Sequence, residues 1–92
     1  MADTTGDYRY SDPFFGERDG AGAHEALMRT VLERFPDRRI ELLECWVAEG
    51  AEVARYRWTG TSAGGGDPTE VMFVAVLEYE DGNLRRWANY RA

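Results

Sequence analysis

The sequence predicts an α+β domain in which a curved antiparallel sheet wraps around one helix. Three observations carry this expectation. Apolar residues recur with helical spacing only between Ala23 and Phe35, four long aromatic-rich apolar runs follow, and the turn signals Glu49-Gly50 and Asp81-Gly82 join those runs into two hairpins.

In chain order, "MADTTGD" is polar and reads as a flexible tail, residues 1–7, with a single domain over 8–92. "YRYSDP" alternates from Tyr8 until Pro13, which lacks a backbone donor and ends a short first strand. "FFGERDGAG" reads as a glycine-punctuated loop whose adjacent phenylalanines need cover from water. In "AHEALMRTVLERF", Leu27, Val31 and Phe35 stand at i, i+4 and i+8 with Met28 and Leu32 beside them, which gives a helix with one broad apolar face; Pro36 stops it. The Asp81-Gly82 turn is expected to set Tyr79 opposite Leu84 and Glu78 opposite Arg85. In "EVMFVAVLEY" both alternating sets are apolar, so both faces of that strand need cover. The helix can supply one; a ligand cavity, a second copy of the chain, or both must supply the other.

Composition narrows the function classes. The net charge of -6, with no basic block longer than two residues, gives no stripe that could follow phosphates, so nucleic acid is not an expected partner. One cysteine, Cys45, and one histidine, His24, are too few for an internal disulfide or common zinc spacings. No apolar run reaches membrane-spanning length and no leader-like segment opens the chain, which predicts a cytoplasmic protein without a membrane partner.

The stretches "YSDPFFGERDGAGAHEALM", "VAEGAEVARYRWTGTSAG" and "EYEDGNLRRWANYRA" together resemble the SnoaL-like polyketide cyclases, within the superfamily of nuclear transport factor two and ketosteroid isomerase. The resemblance runs from about Tyr8 to the end. It implies a cone-shaped, strongly curved sheet around an apolar pocket, pairing of two copies through the sheet face, and cyclase, isomerase or hydratase chemistry on an apolar, oxygenated molecule without metal or organic cofactor. Three positions depart from the family's pattern. The family carries about two further helices before the first strand, where seven residues precede Tyr8 here; Ser62 stands where many relatives have histidine after Gly-Thr; and "NYRA" puts Ala92 where relatives place the acidic residue of the last strand. A non-catalytic binding or dimerisation domain is therefore the alternative.

Candidate residues follow from both readings. Asp12, in the position of the family's Asp-Pro, is the expected proton carrier, or else a turn former before Pro13. His24, in the first helical turn, is expected to assist as a neutral imidazole, or else to be solvated. Alternation puts Tyr56 and Trp58 on one strand face, where aromatics with polar tips suit a pocket wall as well as an ordinary core. Asn89 and Tyr90, on the strand that lines the pocket in relatives, are the expected hydrogen-bonding groups for a substrate carbonyl. Glu44 is grouped with Leu42 and Trp46 and is expected to be exposed or paired with arginine.

Overall fold

The computed structural model describes residues 3–92. The order of elements is β1 (Thr4–Asp12), β2 (Gly16–Asp19), α1 (Ala21–Arg34), β3 (Arg39–Ala48), β4 (Ala51–Gly60), β5 (Thr69–Glu80) and β6 (Asn83–Arg91). The strands form one six-stranded sheet in the order β2-β1-β6-β5-β4-β3. Only β1 and β6 pair in parallel, and every other neighbour is antiparallel.

Two stretches read as irregular are strand. β1 starts at Thr4, so Thr4 to Asp7 of the expected tail belong to the first strand, with Thr4 opposite Leu84, while Met1 and Ala2 lie outside the described residues. Part of the expected loop, Gly16–Asp19, returns antiparallel to β1 and pairs Asp12 with Gly16 through to Arg9 with Asp19. A four-residue strand with one hydrogen-bonding neighbour is too short for periodicity to reveal.

The helix forms where its apolar spacing places it. Gly20, at φ 90°, turns the chain into it without a side-chain cap, and Phe35 N–H bonds back to Val31 O at 2.8 Å before Pro36 ends it. Its buried residues are His24, Leu27 and Val31, at i, i+3 and i+7. They pack on Tyr8, Tyr10 and Leu84, and burying each large apolar side chain contributes about 1.5–3 kcal/mol. A second cluster, Tyr56, Phe73 and Ala75, occupies the same sheet face farther along.

Both hairpins form. Asp81 and Gly82 take φ 50° and 81°, the two positive values that a tight two-residue turn between twisted strands demands. Tyr79 faces Leu84 as expected, but a bulge beside it moves Glu78 opposite Arg86 instead of Arg85, and those two pair at 3.6 Å. A bulge between Leu42 and Glu44 similarly splits the expected grouping in β3. Leu42 falls opposite Tyr56 on the helix side, while Glu44 and Trp46 turn to the other face, where Glu44 pairs with Arg55.

The expected cone-shaped, strongly curved sheet is not formed. The sheet is open, with β2 and β3 as free edges, and the molecule is elongated at 43 × 27 × 18 Å. β4 and β5 pair without interruption from Ala51↔Glu78 to Gly60↔Thr69, so this long pair has none of the bulges that bend a sheet toward closure. α1 packs on β1 and β2, at one end of the sheet.

Candidate ligand cavity

Between α1 and the sheet lies a cavity of about 230 Å³, walled mostly by apolar side chains. Its floor is built by alternation on β1. Tyr8, Tyr10 and Asp12, two residues apart, share the face toward the helix, so Tyr8 and Tyr10 are buried under His24 and Asp12 reaches the cavity. Trp87 lies opposite Tyr10 on β6, and Asn89 lies on the same face. Tyr56 and Trp58 from β4 and Phe73 from β5 form the far wall, with Phe35 edge-on to Trp58 at 5.0 Å.

His24 is the most constrained group. It is 1% exposed, stacked on Tyr10 with ring centroids 3.9 Å apart and edge-on to Trp87 at 5.1 Å. Its Nδ1 lies 2.8 Å from the Tyr8 hydroxyl, and its Nε2 is buried with no protein partner. Hydrogen-bond accounting selects the tautomer. If the Tyr8 hydroxyl donates to Nδ1, one group stays unpaired, the Nε2–H; the reverse leaves both the Tyr8 proton and the Nε2 lone pair unpaired. Burial pushes the Tyr8 phenol up to about 12 and holds it protonated, ready to donate. Burial also lowers the imidazole below its ordinary value, against a weaker opposing pull from Asp12, so the ring is neutral near pH 7. His24 lines the cavity and Tyr8 does not.

A second hydrogen-bonded chain runs toward Asp12. Trp87 Nε1–H donates to Asn89 Oδ1 at 3.0 Å, and Asn89 Nδ2 donates to the Tyr10 hydroxyl at 3.1 Å. The Tyr10 phenol is raised first by burial and then by the nearby Asp12 carboxylate, and Tyr56 is raised by the same two causes. Asp12 also holds the loop after it, because Phe14 N–H and Phe15 N–H donate to its Oδ1 at 2.7 and 2.6 Å. That is the turn-forming role Asp favours before proline.

Asp12, His24, Tyr56, Trp58 and Asn89 therefore line one cavity. Tyr90 does not: it is 48% exposed on the opposite sheet face, beside Arg86, because the pleat sends it the other way from Asn89. Asn89 is placed inside, yet its amide is engaged by Trp87 and Tyr10. Sequence reading missed Tyr8, Tyr10, Trp87 and Arg38. The alternation Tyr8-Tyr10-Asp12 was the available signal for the first two. Among the described residues no three His, Cys, Asp or Glu side chains are grouped to hold a metal, and no helix is long and apolar enough to cross a membrane.

One helix laid on an open mixed sheet, with an apolar cavity between them, defines a small α+β domain. Residues 2–87 match the family model of the SnoaL-like domain, and the chain belongs to that family. No curated protein sequence matches it. Solved structures share the fold at low identity. A SnoaL-like protein from Jannaschia sp. CCS1 superposes with a TM-score of 0.83 at 19% identity, covering 96% of this chain and 66% of its own. A protein of ketosteroid isomerase-like fold from Catenulispora acidiphila, in complex with trimethylamine, gives 0.87 at 13%, covering 97% and 69%. TerC, co-crystallised with polyporic acid, gives 0.80 at 17%, covering 97% and 73%. The chain thus spans about two thirds of the length of these structures.

Proposed function

We propose that this domain binds an apolar, oxygenated small molecule in the cavity and moves a proton on it, in a cyclisation, isomerisation or hydration carried by side chains alone. The observation that carries the reading is an apolar cavity lined by the neutral His24 ring and by a single carboxylate, Asp12. The Asp12 carboxylate takes a proton acidified by a neighbouring ligand carbonyl, and the His24 ring assists from the floor. Tyr56 and Trp58 offer faces to a flat ligand, and Asn89 orients Tyr10. Two solved structures of the same fold, with trimethylamine and with polyporic acid, support a small-molecule site.

The non-catalytic alternative has its own observation: Asp12 Oδ1 is already occupied by two backbone N–H groups. A thermal-shift panel of polycyclic ketones, steroids and terpenoid epoxides tests binding. Turnover of any stabilising compound, compared between the native protein and Asp12→Asn, then separates the readings: loss of turnover with affinity kept supports proton transfer, and binding without turnover in the native protein supports the alternative. The opposite sheet face carries Trp46 and Tyr90 half exposed, and pairing of two copies there is part of the proposal. Sedimentation that gives a monomer would remove it.

A further inference from the structure

We propose that the ligand of this cavity is an apolar acid, whose carboxylate is taken by Arg38. This rests on the cavity reading above and names the class of molecule it accepts. Arg38 stands in the short turn between α1 and β3 and is the one cation lining the cavity. The turn is held from both sides: Arg38 N–H bonds to Phe35 O at 3.0 Å, and Asp37 Oδ1 accepts from Thr61 N–H at 2.7 Å. Asp37 is thereby committed to Thr61.

Among the described residues Arg38 has no ion-pair partner, and its Nε is buried without a hydrogen bond. Arg9, Arg55, Arg57 and Arg86 each face a carboxylate and Arg91 stacks over Phe14 at 5.4 Å; Arg39 and Arg85 have no ion pair either, but neither lines the cavity. Asp12 forms no ion pair with Arg38, and its Oδ1 is held by the backbone N–H groups of Phe14 and Phe15. The cavity is therefore lined by one carboxylate, Asp12, and one guanidinium without an ion-pair partner, Arg38, among apolar side chains. A guanidinium offers paired N–H donors as a fork that matches a carboxylate. An acid bound there would lay its apolar body against Phe35 and Trp58.

The test is calorimetric titration, at neutral pH, with para-benzoylbenzoate and with its methyl ester, which share one diaryl ketone body and differ only in the charge. The native protein is expected to bind the acid about tenfold or more tightly than the ester, since a charge-assisted fork is roughly twice as strong as a neutral contact. Arg38→Gln should weaken the acid to the level of the ester and leave the ester unchanged, and Arg38→Lys should restore part of the difference. Equal binding of acid and ester by the native protein, or an equal loss of both in Arg38→Gln, overturns the carboxylate assignment while leaving the cavity reading intact. Binding of neither probe by the native protein overturns both.

Discussion

Acidification should destabilise this protein through one residue. His24 is the only histidine in the chain and is buried, so its folded imidazole titrates below the unfolded value near 6.5. Between those two pKa values the unfolded chain holds a proton that the folded chain refuses. Stability therefore rises with pH through that window: the contribution is complete above about 6.5 and is lost as pH falls toward the folded pKa. While the folded ring stays neutral the loss is about 1.4 kcal/mol per pH unit, and each kcal/mol moves the melting temperature by roughly 4–8 °C in a domain of this size.

The clean measurement is a difference. Urea unfolding followed by tryptophan fluorescence, at several pH values from neutral to mildly acidic, should show a steeper fall for the native protein than for His24→Gln. Glutamine can still accept from the Tyr8 hydroxyl but cannot titrate. Carboxylates with lowered pKa values, Asp7 and Asp37, act in a lower window and are common to both proteins. The single ring signal in NMR reports the midpoint directly, and Asp12→Asn should move it further down by removing the opposing charge. Equal pH slopes for the two proteins, or a ring midpoint at or above 6.5, would refute the buried-neutral assignment.

Two further outcomes follow from packing. In Gly60→Ala the new Cβ would sit 2.9 Å from Trp58 Cη2 and 3.1 Å from Phe35 Cβ, so those rings must shift; a loss of about 1–3 kcal/mol in thermal unfolding is expected. Asn89→Leu strands the Trp87 Nε1–H and withdraws the donor to Tyr10; a loss of about 1–3 kcal/mol is expected in urea unfolding, and an unchanged midpoint would mean water replaces the amide.

The helix and both hairpins were legible because each has a strong local cause: apolar spacing around Leu27 and Val31, and positive-φ turns at Gly50 and Asp81-Gly82. The bulges at Leu43 and Glu78 were not, since bulges answer to the twist of paired strands and leave no mark in one strand's pattern. The same limit explains the overestimate of curvature. His24 could have been placed inside, because it stands three and seven residues before Leu27 and Val31 on the same helix face. Tyr90 follows Asn89 in a regular strand, so assigning both to one cavity conflicted with the pleat itself. Arg38 carried no sequence signal, since its isolation is a matter of which carboxylates the fold keeps away.

Asp12 joins structure and chemistry in one side chain, and that decides how it must be tested. Its Oδ1 accepts from Phe14 and Phe15, which set the loop carrying both phenylalanines to the cavity. Asp12→Ala would release two N–H groups and free that loop, so lost activity would say nothing about proton transfer. Asp12→Asn keeps a carbonyl oxygen for the same two donors and removes only the charge. The expectation is a loop stability within about 1 kcal/mol of the native protein, the difference between charged and neutral acceptors. Turnover, if the proton passes through this carboxylate, should fall by about 10²–10⁴-fold, the range of general acid–base contributions. Ligand affinity should persist, because His24, Tyr56 and Trp58 are untouched. Turnover unchanged in Asp12→Asn would remove Asp12 from the chemistry and leave it as the residue that folds the cavity's rim.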